Sequence, residues 1–320
     1  MMNYRLVDSN AYLMHYGVKG MKRGVRKEYV PKGRRKSVKT SPPKSKSAMD
    51  LLLADPELTT YATVAVAVLA YWGGKRISDL HKQGWFTEKY TASDVKRCHT
   101  TKEEDLKLIN PLTGVSEQTI EKLPYIKSVS DLSKSEQKEL TDAMKDGWMD
   151  NCVYCTTAGV LRRKGYDVEA KNSPGRGHST EQMMKWWKGS KIEDFDGRSE
   201  SNPKKADSFV LDAQERAGKK GRSDSDQLNH MSQVLQKQGV GAYGEMRIYG
   251  FFCGHSVEYS VEKDGVKIHD NQVRHTYKLD EYFNTHDHFY PSNSVYMRLD
   301  TCEPDLDRIL KEHAVKPRGK

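Results

Sequence analysis

Residues 151–165 read Asn-Cys-Val-Tyr-Cys-Thr-Thr-Ala-Gly-Val-Leu-Arg-Arg-Lys-Gly and run directly into Tyr166-Asp167-Val168-Glu169-Ala170. The pattern is a helix that starts on a cysteine and hands over to a strand. Asn151 suits the N-cap, Val153, Val160 and Leu161 keep helical spacing, and Arg162 to Lys164 suit the negative end. Gly165 can take the left-handed position after the last turn. A thiol at the first turn meets unpaired N–H groups and the positive end of the helix dipole, so its thiolate is favoured before any partner is considered. A base must come from elsewhere in the chain.

The 320 residues, 36 % of them hydrophobic, suffice for one medium domain with a real core. The mean hydropathy of −0.82 assigns the remainder to polar segments. Charge is unevenly spread. Residues 1–50 hold thirteen Lys and Arg against Asp8, Glu28 and Asp50, a net of +10, which leaves −1 of the total +9 for residues 51–320. A basic arm of that kind is open to nucleic acid, an acidic lipid surface or an acidic protein, and charge alone does not choose. Five cysteines, an odd count, and charge from Arg5 onward with no apolar leader predict free thiols in a reducing compartment.

Along the chain, residues 31–47 are Lys, Arg, Ser and Pro, a linker composition. Residues 58–72, LTTYATVAVAVLAYW, are the most apolar run. They fall short of the roughly 20 residues of a spanning helix, and predict a buried helix or one that rests on a membrane. Residues 75–150 predict short helices, among them one over 135–148, with a turn at Asn110-Pro111. Residues 171–227, rich in Gly, Ser, Lys and Asp, read as a long surface excursion around one aromatic helix at 180–187. A helix over 228–238 stops at Gly239, and residues 303–320 read as a polar tail.

Strands then crowd together. Residues 242–252 have strand spacing, and His255 opens a strict alternation at Val257, Tyr259 and Val261. Asp264-Gly265 signals a hairpin, followed by Val266, Ile268 and Asp270. With Glu262 to Gly265 as a four-residue loop, Val261 faces Val266 and Val257 faces Asp270. His255, Asp270 and Gln272 then share one face, with the first two as diagonal neighbours. A three-residue loop would separate His255 from Asp270.

A cysteine at a helix start, a histidine opening a later strand and a carboxylate on the next are the parts of a cysteine hydrolase. The pattern Asn151-Cys152-x-x-Cys155-x-x-Ala158, the following Leu161-Arg162-Arg163-Lys164-Gly165-Tyr166, then Gly254-His255 and Asp270-x-Gln272 resembles the papain-fold toxin (Tox-PL) family of bacterial polymorphic toxins and phage-encoded proteins. Ile109-Asn110-Pro111 stands where such domains often begin. The resemblance covers roughly residues 105–300 and implies an α+β, papain-like fold with peptidase or protein glutamine deamidase activity. It implies Cys152 as nucleophile, His255 as base and Asp270 as its orienter, flanked by Asn151 and Gln272, with a protein as substrate and no cofactor. Asn271 stands where many relatives have Pro, and Phe251-Phe252-Cys253 replaces a more glycine-rich approach.

A second resemblance lies at residues 15–27, His-Tyr-Gly-Val-Lys-Gly-Met-Lys-Arg-Gly-Val-Arg-Lys, similar to a peptide of structural proteins of tailed phages, with Arg23 in place of the usual Trp. It implies a virion-associated protein, delivered to a bacterial cytoplasm, with capsid or portal proteins as partners. The expected division is therefore a basic arm (1–50), an apolar helix and connector (51–104), a papain-like domain (105–302) and a tail (303–320).

Four alternatives stand beside these readings. Cys155 lies one turn from Cys152 and competes as nucleophile, its other role being a small buried hydrophobe. Cys152, Cys155, Cys253 and His255 make a Cys3His ligand set for structural zinc, which would leave Asp270-x-Gln272 without a role. His286-Asp287-His288 is a ligand pair without a third member. A non-enzymatic packaging protein with a DNA-binding arm uses the same charge distribution.

Overall fold

The computed structural model describes residues 78–79, 81–82, 85–126, 131–173, 178–220, 222–250, 254–287 and 289–320. The basic arm, the apolar run 58–72, Cys253 and His288 lie outside the described residues. In chain order the elements begin with α1 (Lys102–Ile109), α2 (Glu117–Lys122), α3 (Lys134–Lys145), α4 (Cys152–Arg163) and β1 (Val168–Ala170). There follow α5 (Thr180–Met184), β2 (Trp187–Lys188), β3 (Ile192–Asp194), β4 (Ser199–Glu200), α6 (Pro203–Lys220) and α7 (Asp224–Gln236). The last part holds β5 (Tyr243–Gly250), β6 (Gly254–Glu262), β7 (Gly265–Asp270), β8 (His275–Lys278), α8 (Leu279–Thr285), β9 (Phe289–Arg298), β10 (Glu303–Pro304), α9 (Leu306–Lys311) and β11 (Val315–Pro317).

The architecture is α+β. Seven strands form one antiparallel sheet in the order β4-β3-β9-β5-β6-β7-β8. Local signals account for several elements: Ser133 and Glu136 close a capping box at the start of α3, and the Ser223 side chain caps α7. α4 ends where Gly165, at φ +85°, provides the left-handed turn into β1.

Alternation along the central strands divides two cores. Met246, Ile248, Val257, Tyr259, Val261 and Ile268 face Met231 and Leu235 of α7 and Tyr282 and Phe283 of α8. On the other face, Val295 and Met297 of β9 and Tyr249 of β5 join Val153, Val160 and Leu161 of α4 and Trp186 and Trp187. A smaller cluster under α2 and α3 contains Leu112, Ile120, Leu123 and Leu140. Because α4 lies against the sheet, the polar alternate residues Ser256, Glu258 and Ser260 are buried as completely as the apolar ones.

Three expectations are corrected. Residues 171–227 are not a surface excursion: they supply β2 to β4 and α6, whose Ala206, Val210 and Ala213 pack into the core with fully buried Trp186 and Ile192. Those three small residues make one helical face, and the polar residues around them hid it. The aromatic helix ends at Met184, and Trp187 enters β2, paired with β10. Residues 303–320 are not a tail. Leu306, Ile309, Leu310 and Val315 are buried, and β11 pairs with β1 in the register Val168↔Pro317 to Ala170↔Val315. Trp85, inside the expected connector, packs in the same core as α4 and donates to Asn172 Oδ1 at 2.9 Å.

Candidate active site

The hairpin takes the four-residue-loop register. Val261 pairs with Val266, Glu262 with Gly265 and Glu258 with His269. The same alternation turns His255 and Asp270 to one face of the sheet. His255 Nε2 donates to Asp270 Oδ2 at 2.9 Å, and the other Asp270 oxygen accepts from the Gln272 N–H at 3.1 Å. Phe289 stacks on the imidazole, with centroids 5.8 Å apart and planes 12° apart, so the ring has little freedom to turn. With Nε2 held by the carboxylate, Nδ1 is the ring nitrogen left for the hydrogen bond that joins His255 to the Cys152 side chain.

Cys152 is the first residue of α4 and His255 and Asp270 are buried with it. Burial opposes a charged imidazole, but the Asp270 carboxylate and the Cys152 sulfur outweigh it and push the His255 ring up to about 10. Asp270 shifts the opposite way. Burial would raise it, and the His255 charge overcomes that and holds it below the usual carboxylate range. The arrangement favours a charged imidazolium beside the Asp270 carboxylate.

Cys155 has a different environment. It is fully buried, and burial, then the negative charge of Cys152, push its thiol well above the ordinary value. Burial also raises Cys98 and Cys302. Of these sulfurs, Cys152 is the one that acts on the His255 ring.

Asn151 occupies the N-cap position without capping through its side chain. Its amide is used otherwise. Asn151 Oδ1 accepts from Gln272 Nε2 at 3.1 Å, and its Nδ2 donates to the Lys171 carbonyl at 3.1 Å and to Asn110 Oδ1 at 3.3 Å. Asn110 Nδ2 donates in turn to the Gln272 carbonyl at 2.9 Å. This closed ring of amides ties the residue before Cys152 to the residue two beyond Asp270. Arg274, at φ +59°, donates to the Asn110 carbonyl through Nε and Nη2 and completes the tie.

A second buried polar cluster, absent from the sequence reading, lies on the α4 side of β5. Glu245 accepts from the Ser256 hydroxyl at 2.7 Å, and burial pushes its carboxyl up to about 7. Arg247 donates to Thr180 Oγ1 at 2.6 Å and to the His178 carbonyl at 3.1 Å. His178 shares a 2.7 Å hydrogen bond with the Tyr154 hydroxyl, and burial, then the Arg247 charge, hold its ring down to about 4. In sequence Glu245 and Arg247 read as solvent-facing strand positions, and nothing local marks them otherwise.

Among the described residues, no group of three or more His, Cys, Asp and Glu is placed to hold a metal. Two members of the metal alternatives, Cys253 and His288, are outside that set. Among the same residues no helix is long and apolar enough to cross a membrane.

A helix-borne cysteine, a strand-borne histidine and a buried aspartate on an α+β scaffold define a candidate thiol-hydrolase centre. The comparisons bear on a different part of the chain: residues 7–29, which include the run 15–27, match a family described as "Family of unknown function (DUF7211)". No curated protein and no solved structure matches.

Proposed function

We propose that this protein is a papain-like cysteine hydrolase that cleaves a peptide or side-chain amide through an acyl-thioester on Cys152. The observation that carries this reading is the setting of His255, bonded to Asp270 at 2.9 Å and close enough to the Cys152 side chain for that sulfur to raise the ring's pKa. The thiolate attacks the amide carbonyl carbon, and the C=O pair moves onto oxygen. Collapse of that intermediate breaks the C–N bond as the imidazolium gives its proton to the departing nitrogen. Neutral His255 then takes one proton from water as the water oxygen attacks the thioester; the C–S bond breaks to release the Cys152 thiolate and a carboxylic acid that ionises to solvent, while the ring keeps its proton. Asp270 keeps its charge throughout and holds the ring. The departing group is an amine for a peptide bond and ammonia for a glutamine side chain. Both reactions use the same three groups.

The resemblance of residues 15–27 to phage structural peptides supports a virion-associated effector that acts in the bacterial cytoplasm, with capsid or portal proteins as carriers. The +10 charge of residues 1–50 supports contact with nucleic acid or an anionic membrane through the arm. The test of activity is incubation with a library of unstructured glutamine-containing peptides, read by mass spectrometry. Fragments identify a peptidase, and intact chains with released ammonia identify a deamidase. Either product must vanish in Cys152→Ala. Product formation that survives Cys152→Ala overturns the proposal.

A further inference from the structure

Asn271 stands between two residues of the site, Asp270 and Gln272, and continues the alternation of β7 so that its side chain faces away from His255 and toward α4. Its amide is held at both ends. Asn271 Nδ2 donates to Glu258 Oε2 at 2.9 Å, and Asn271 Oδ1 accepts from Lys102 Nζ at 3.0 Å. Lys102 comes from α1, more than 150 residues away in sequence, and also binds Glu258 Oε2 at 2.5 Å. The other Glu258 oxygen accepts from Arg163 Nε of α4 at 2.7 Å. Every contact of this carboxylate is thereby accounted for by a cation or an amide, in a place with no solvent exposure.

Nearby His269 hydrogen-bonds Ser260 and Thr276, and burial, then Lys102, keep its ring down to about 3. The cluster is therefore one anion between two cations beside a neutral imidazole. The helix that carries the nucleophile approaches it closely. A Cβ at Gly159 would stand 2.2 Å from Asn271 Nδ2 and 2.5 Å from Glu258 Oε2, so only glycine admits the amide and the carboxylate under α4.

Resting on the thiol-hydrolase reading of the site, we propose that Lys102 and Glu258 are positioning residues: they grip Asn271 and so fix Asp270 where it orients His255. Asp270 turns toward the base and Asn271 toward α4. One two-residue step of chain thus sets the base and registers the helix bearing Cys152. Tightening or loosening the grip on Asn271 moves the carboxylate relative to the ring.

The experiment compares the full chain with Lys102→Met, Lys102→Arg and Asn271→Ala. The readouts are the titration of the His255 ring by nitrogen-15 NMR and the rate of Cys152 alkylation by iodoacetamide against pH. Lys102→Met and Asn271→Ala are expected to lower the His255 titration by about one pH unit. They are expected to slow alkylation at acidic pH about tenfold. Lys102→Arg, which keeps a donor on both acceptors, restores both readouts.

Asn271→Ala leaves the three charges paired and answers the question if Lys102→Met does not fold. His255 titration and alkylation that match the parent in folded variants overturn the proposal. So does failure of both variants to fold, which makes the cluster a staple only. His255→Ala separates this proposal from the reading beneath it. If it leaves Cys152 alkylation unchanged, the catalytic reading fails; if it abolishes the acidic reactivity while Asn271→Ala does not, only the positioning role fails.

Discussion

Lowering the pH should change which cysteine of this protein is alkylated. An ordinary thiol with a pKa of about 8.5 is ionised to roughly one part in three hundred at pH 6. Burial pushes Cys98 and Cys302 above their ordinary value, so their ionised fractions are smaller still. Cys152, hydrogen-bonded to a ring that stays protonated up to about 10, is expected to be a thiolate throughout this range. Its intrinsic nucleophilicity falls with its basicity. A His-paired cysteine generally lies about four pKa units below an ordinary thiol, and a slope of about 0.4–0.5 over that interval removes a factor of about 40–100. The net advantage of Cys152 is then about three- to eightfold at pH 6, and it reverses above about pH 6.5–7, where more than about one ordinary thiol in 40–100 is ionised. Site-resolved mass spectrometry after brief iodoacetamide treatment across this range reads all five cysteines at once. A Cys152 rate that rises tenfold per pH unit in parallel with Cys98 refutes the ion pair.

Other perturbations test the same architecture. Asp270→Asn removes the anion that holds His255, and is expected to cost about 3–5 kcal/mol in urea unfolding and to abolish the acidic reactivity of Cys152. The raised His255 titration has a definite sign: its contribution to stability is full below the unfolded value of 6.5 and is lost as pH rises through about 10, measurable as a falling melting temperature on that alkaline limb. Gly159→Ala gains helix propensity of about 1 kcal/mol, yet meets Asn271 and Glu258; a net loss of roughly 1–3 kcal/mol in urea midpoint is expected. Truncation after residue 302 removes Leu306, Ile309, Leu310 and Val315 from the core, each worth about 1.5–3 kcal/mol, and should leave a chain without a cooperative thermal transition.

The site was legible where short-range rules apply. Asn151 through Gly165 carry their own start and stop, and the hairpin at Asp264-Gly265 links parity to register, so counting residues left two registers, of which the structure takes the one that puts His255 and Asp270 on one face. Asn151 is the N-cap that the sequence predicts, but its side chain leaves its own backbone because Gln272, Asn110 and Lys171 offer tertiary partners. The expected tail and surface excursion failed for a related reason. A few apolar residues among many charges make a core only when another segment offers a matching face, as β1 does for β11.

The sequence by itself determined the local elements around Cys152, the uneven charge and the rule that ties hairpin register to the face of His255, because helix caps, turn residues and two-residue periodicity act over a few positions. The tertiary structure alone decided that Cys155 is fully buried while Cys152 lies beside His255, and that Glu245, Arg247 and Glu258 are buried with Lys102 partly covered beside them. A polar strand residue looks the same in sequence whether water or a helix covers it. Only the packing of α4 and α1 against the sheet excludes the water and gives each charge its partner.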